Sequence, residues 1–200
     1  MINNYSLQYD YKGVGDVLII ILNGQKTPTR SVNNQDVVAI YSDDELVGIN
    51  IFNISKIMKI KSQGMIYLPS NAFIDVINTL LTNASLDTLS YVETSGYVIG
   101  EIQDVEEVED GLICSINLGN EIVHAVSLDK SVKEKDKVVV AIQNTRLPNG
   151  EVVGSFDTEF GIINSHLCSY KDLNIKDCDD VLIIDEDVKI SSDFFSTEAK

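Results

Sequence analysis

Residues 111–128 read GLICSINLGNEIVHAVSL, and the fold turns on how they are parsed. Leu112, Cys114, Ile116 and Leu118 alternate with Ser115 and Asn117, the period of two that sends successive side chains to opposite faces of a strand. Gly119-Asn120 supplies a two-residue reversal, and Glu121 to Leu128 returns as the partner strand. Upstream, Tyr97 to Val105 reads as a strand. Downstream, Val138 to Ile142 is a short buried strand and Pro148-Asn149-Gly150 a turn. Val181 to Ile184 suits one more strand, and the tail from Ser191 reads as frayed. Short strands at this spacing indicate a sandwich or small barrel, and a five-stranded Greek-key barrel fits the length.

The first half follows a different pattern. Val17 to Leu22 is a continuous apolar run, expected of a strand buried on both faces. Gly24, Pro28 and the polar residues to Gln35 read as a loop. Val37 to Tyr41 and Leu46 to Phe52 flank Ser42-Asp43-Asp44-Glu45 and read as a hairpin. Ser70 suits a helix N-cap, and Phe73, Ile74, Ile77, Leu80 and Leu81 then recur at helical spacing along one stripe. Asn83 to Ser90 is polar and reads as the connection between two domains. The expected organisation is an α+β domain over residues 1–90, then an all-β domain over 91–200 with a C-terminal extension.

Composition narrows the function classes. The 200 residues are 44% hydrophobic, ordinary for a globular chain. No apolar run approaches the roughly 20 residues of a membrane helix. The opening MINNYSLQYDYKG lacks the basic and apolar regions of a signal peptide, so the expected location is cytoplasmic. Cys114, Cys168 and Cys178 are odd in number and lack metal-ligand spacing, and His124 and His166 are the only histidines. A disulfide framework, a zinc site and a histidine-rich catalytic metal centre are all disfavoured, and no cofactor is expected. Net charge is −16. Residues 1–90 hold 6 basic and 8 acidic residues, while residues 91–200 hold 9 and 23. A nucleic-acid binder usually carries the opposite sign, because phosphate contacts supply most of its affinity.

The residues themselves go further than the pattern. YVIGEIQDVEEVEDGLICSINLGNEIVHAVS, VKEKDKVVVAIQNTRLPNGEVV and GIINSHLCSYKDL resemble, in order, the transfer-RNA-binding domain found at the N-terminus of bacterial phenylalanyl-tRNA synthetase β subunits. GVGDVLIIIL and VGINIFNIS resemble the domain that precedes this module in YtpR-like proteins. The resemblance covers about residues 10–190 and implies an OB-fold for the second half. It also implies a bacterial, non-catalytic protein that engages tRNA or another structured RNA. Several loops depart from the family pattern. Val108 to Leu112 replaces its His-Pro-Asp-Ala-Asp-Lys-Leu, Ser127 to Val132 its Cys-Gly-Ala-Pro-Asn-Val, and Asn164 to Leu167 its Ser-Xaa-Gly-Met. Weak binding is the expectation. The alternative is a protein-interaction module whose RNA-binding face has eroded.

By motif position, the RNA-binding candidates are Lys133, Arg146, Ser165, Ser169 and Lys171. The two basic residue types would contact phosphates, and serine hydroxyls would hydrogen-bond phosphate or sugar. The competing reading is ordinary solvated surface. His166 and Cys168 lie two apart but show no third orienting group in the sequence, so a nucleophile–base pair is disfavoured. His124 reads as a packed or rim side chain. Gly13-Val14-Gly15-Asp16 precedes its strand, unlike a phosphate loop, and reads as a turn. Asp177, Asp179, Asp180, Asp185, Glu186 and Asp187 lack calcium-loop spacing and read as a solvated acidic face.

Overall fold

The computed structural model describes residues 1–61, 63–185 and 187–196. The chain divides into two compact units, Met1–Glu93 and Thr94–Lys200. Antiparallel sheets dominate both, with few helices. No helix among the described residues is long and apolar enough to cross a membrane.

In the first unit the elements run β1 (Ser6–Tyr9), α1 (Tyr11–Val14), β2 (Val17–Ile21), β3 (Arg30–Asn34), β4 (Val37–Ser42), β5 (Glu45–Phe52), β6 (Gly64–Ile66) and α2 (Asn71–Asn83). The strands form one sheet in the order β3-β4-β5-β2-β1-β6, each neighbouring pair antiparallel. The β4–β5 hairpin lies where Val37–Tyr41 and Leu46–Phe52 predicted it. Two expectations fail. The stretch assigned to a loop contains β3, an edge strand with all five residues exposed and hence no apolar signal. The Val17–Leu22 run is not buried on both faces: Leu18 and Ile20 are buried, while Ile19 and Ile21 are only half-buried. Antiparallel sheets tolerate one wet face.

Helix α2 supplies the cover for the other face. Ser70 caps it as expected, its hydroxyl accepting from the Phe73 N–H at 3.2 Å. Ile74, Ile77 and Leu81 are buried in one cluster with Leu7, Leu18, Ile20, Ile49 and Ile51. The segment after the helix is docked and not a free connection. The Asn78 side chain donates to the Leu89 carbonyl at 2.9 Å and accepts from the Leu89 N–H at 2.7 Å. Leu89 also forms a parallel bridge with Ile2.

In the second unit the strands are β7 (Tyr97–Val108), β8 (Gly111–Asn117), β9 (Ile122–Ser127), β10 (Lys137–Ile142), β11 (Phe156–Thr158), β12 (Gly161–Ile163), β13 (Ser165–Leu167) and β14 (Ile183–Ile184). The main sheet runs β13-β10-β7-β8-β9, with β14 also on β10, and β11–β12 is a separate ribbon. The expected hairpin is present: Leu118 N–H donates to the Glu121 carbonyl across Gly119-Asn120, where Gly119 takes the positive φ of 92° that the reversal needs. Strand β7 serves both halves of the sheet. Its first five residues pair with β10 and seven of the residues from Glu101 to Val108 pair with β8, and a register shift between Ile102 and Asp104 marks where it bends. At Gly100 a Cβ would come within 2.6 Å of Ile116 and 2.8 Å of Leu118, so only glycine fits this close approach.

The two outer strands of that sheet meet. Asn164, just before β13, donates its N–H to the His124 carbonyl on β9 at 3.2 Å and accepts the His124 N–H at 3.1 Å, and Ser165 Oγ donates to the same carbonyl at 2.9 Å. The sheet is therefore barrel-like. It encloses Ile102, Cys114, Ile116, Val123, Ala125, Val138, Val140 and Leu167. The reading of a frayed tail from Ser191 is wrong for residues 191–196. Asp193 accepts from the Ser95 N–H at 2.6 Å and Ser95 Oγ at 2.8 Å. Phe194 N–H donates to the Tyr97 carbonyl, and the Phe195 ring stands edge-on to Tyr97 at 5.3 Å. This strap lies along β7, where Tyr97 and Ile99 are buried.

Candidate nucleic-acid interface

The five candidate residues divide between the two ends of β10. Lys133 lies in the loop that leads into Lys137, whereas Arg146 follows Ile142. The β10–β13 register pairs Ile142 with Ser165 and Val140 with Leu167. Ser165 thus belongs to the Arg146 end, and Ser169 and Lys171 follow the strand towards the Lys133 end. Six residues of strand hold these ends roughly 17 Å apart.

Their environments differ sharply. Lys133 is exposed; its backbone N–H donates to the Asp136 carboxylate at 2.9 Å and its carbonyl accepts from the Asp136 N–H at 3.2 Å. Arg146 is half-buried. Its Nη1 donates to the Gly150 carbonyl at 3.1 Å across the Pro148-Asn149-Gly150 turn, and burial lowers its pKa from the ordinary arginine value. Lys171 is exposed but stands 3.3 Å from Asp179 and 3.6 Å from Asp177. The Asp179 hydrogen bond and both nearby charges raise its pKa. Both serines are buried: Ser165 closes the barrel, and Ser169 Oγ donates to Asp172 at 2.7 Å.

Asp172 organises the Lys171 end, a role the sequence did not reveal. It accepts from Ser169 N–H and Oγ and from His166 Nε2 at 3.0 Å. Burial works against its charge, but these donors prevail and hold its pKa at about 2. The third group missing from the His166–Cys168 pair is therefore present, but the Cys168 thiol donates to the His166 carbonyl at 3.7 Å. Cys168 is fully buried, and both that burial and the Asp172 charge push its thiol up. A thiol so protonated is no nucleophile. His124 is half-buried on β9, its Nδ1 3.2 Å from Ser115 Oγ. Of the acidic cluster, Asp177 and Asp179 face Lys171, Asp180 accepts from Cys178 Sγ, and Glu186 lies outside the described residues. Among the described residues no three histidine, cysteine, aspartate or glutamate side chains gather as metal ligands.

The sequence comparisons cover both units. A family model described as a domain of unknown function, DUF4479, matches residues 24–89. YtpR of Bacillus subtilis (strain 168), described as a proposed tRNA-binding protein, is 28% identical over 176 residues, covering 84% of this chain and 87% of its own. The phenylalanine–tRNA ligase β subunits of Clostridium acetobutylicum and Clostridium tetani are 30% and 29% identical over half of this chain, but over only 14% of theirs.

Proposed function

From a chain that is YtpR-like across both of its units, we propose a non-catalytic, cytoplasmic protein that binds tRNA or a similarly structured RNA, with an α+β first domain and an OB-fold Greek-key barrel as the second. One observation carries this reading. The second unit has a barrel-like sheet closed at His124–Asn164, and the chain is similar in sequence both to a relative described as a proposed tRNA-binding protein and to a small part of a tRNA ligase subunit. OB-folds bind nucleic acid across one strand face and its flanking loops. On the barrel, Lys133 and Lys171 stand in solvent to meet phosphates. Arg146 contributes from the far end of β10, and Ser165 and Ser169 shape the loops through their buried hydroxyls.

Binding is weak on this reading. Residues 94–200 hold 9 basic and 22 acidic side chains, a net of −13, which repels a polyanion at long range. The three candidate cations, Lys133, Arg146 and Lys171, contribute only about 2–3 units of log affinity per tenfold change in salt. Fluorescence anisotropy with labelled total tRNA, titrated with salt, tests this. Wild type binds below about 100 mM salt, where the Debye length is about 10 Å, and Lys133→Glu with Lys171→Glu weakens it. Absence of binding by folded protein at low salt overturns the proposal.

A protein partner is the second reading, and a specific surface favours it. Ile122, Val126 and Leu128 on and after β9, with Phe156, Phe160 and Ile162 on the β11–β12 ribbon, are all exposed. Exposed apolar groups of this size mark interaction sites more often than chance.

A further inference from the structure

The strongest unclaimed cationic feature lies in the first unit. Residues 46–74 contain three lysines and no acidic residue, the longest acid-free stretch in a chain of net charge −16. Lys56, Lys59 and Lys61 all fall in the crossing from β5 to β6, which begins with a single 3-10 turn over Ile54–Lys56. The packing explains why they stand outward. Ile54 is buried, and Met58 and Ile60 pack against the core, so Lys56, Lys59 and Lys61 are left exposed.

Topology brings a fourth lysine to the same place. Phe52 pairs with Val17, and Gly64 pairs with Tyr9. The crossing therefore spans the sheet end at which β1 turns into β2, and that turn carries Lys12. Direct bonds join the two. Asn53 N–H donates to the Asp16 carbonyl at 2.8 Å, Ser55 N–H and Oγ donate to the Asp16 carboxylate at 3.1 and 2.7 Å, and Gln63 Nε2 donates to Asp10 at 3.3 Å. The local carboxylates of Asp10, Asp16 and Asp36, the last accepting from Asn53 Nδ2 at 2.9 Å, are thus occupied in scaffolding the loops. Among the described residues, none of Lys12, Lys56, Lys59 and Lys61 lies within 4.0 Å of a carboxylate. Aromatic surface is interleaved with them: Tyr11 is 62% exposed and Phe52 41%. Cations along a surface with accessible ring faces are what single-stranded or looped nucleic acid requires.

We propose that this end of the first unit, built from Lys12, Lys56, Lys59 and Lys61 with Tyr11 and Phe52, binds the RNA phosphodiester backbone and supplies the larger share of the chain's attraction to RNA. The inference rests on the RNA-binding reading above and moves its main contact off the barrel. The first unit then offers the ligand of an acidic barrel a surface of the right sign.

The test uses the full chain and labelled total tRNA at 50 mM salt. Replacing the three crossing lysines together (Lys56→Gln, Lys59→Gln, Lys61→Gln) weakens binding about a hundredfold and flattens the salt slope by about 2–3 units, as loss of three phosphate contacts demands. Lys26→Gln, at the opposite end of the sheet and paired with Glu45, changes affinity less than about threefold, as expected of a rim charge outside the contact. A second measurement needs no variant: bound tRNA shields Lys56, Lys59 and Lys61 from acetylation and leaves Lys26 reactive. If wild type binds and the triple variant binds equally, or no crossing lysine is shielded, the inference is overturned while RNA binding survives. If folded wild type does not bind, both fall.

Discussion

The two units solve one problem in two ways. Each presents an antiparallel sheet with an apolar face to be removed from water. The first sheet stays open and borrows a helix: Ile74, Ile77 and Leu81 of α2 bury the face carried by Leu7, Leu18, Ile20, Ile49 and Ile51. The second needs no helix, because a bent β7 and a glycine at position 100 let the sheet curl until β9 meets β13. A borrowed cover concentrates stability in a few side chains of one element. A closed sheet spreads it along a seam of hydrogen bonds.

The largest test of that contrast is Ile77→Asp. A carboxylate forced into the helix–sheet core without a partner costs about 3–5 kcal/mol, and calorimetry should show the loss as a lowered first-unit melting temperature. Amide spectra should then retain the barrel's dispersed signals; if they vanish together, the units are one cooperative block. Asp172→Ala comes next. It removes the acceptor shared by Ser169 and His166 and costs about 2 kcal/mol. Because the folded pKa of Asp172 lies below the ordinary 3.8, at about 2, its stabilisation is present above pH ~4 and is lost as pH falls through 2. Wild type should therefore lose melting temperature across that window more steeply than the variant. Asn164→Ala opens the seam at His124 and costs about 1.5 kcal/mol by urea unfolding, the penalty for a partly buried N–H left unpaired. The smallest effect is Ser70→Ala, about 1 kcal/mol from the lost N-cap, also read by urea unfolding. It sharpens the contrast, since a damaged helix terminus should move the first unit alone.

What the sequence disclosed followed from what each element buries. The β8–β9 hairpin was legible because Leu112, Cys114, Ile116 and Leu118 line the barrel interior while a two-residue turn sets the register. Helix α2 was legible because Ser70 and the Ile74–Ile77–Leu81 stripe agree. Strand β3 was hidden because an exposed edge strand buries nothing, and Arg30 to Asn34 carries no alternation. The strap at 191–196 was hidden because its anchoring depends on Asp193 meeting Ser95, a contact 98 residues apart in sequence. The candidate site was legible mainly as residue types. Lys133 emerged in solvent, but burial decides the fates of Ser165 and Ser169, and the ion pairs of Lys171 come from a loop whose course no local pattern fixes. The crossing lysines escaped notice because a charge total over a domain averages away where charges gather.

The strap also sets an order of events during synthesis. The first unit can complete its sheet and helix once Leu89 has met Ile2. The barrel's opening residues have a longer wait. Ser95 receives its partner only when Asp193 is made, and at roughly 5–20 residues per second that takes about 5–20 s. Throughout that interval Tyr97 and Ile99, fully covered in the finished protein, remain uncovered along one side. An exposed, unfinished strand is where nascent chains mispair. Residues 191–196, made some hundred residues after β7 begins, thus decide whether the first strand of the barrel is safe.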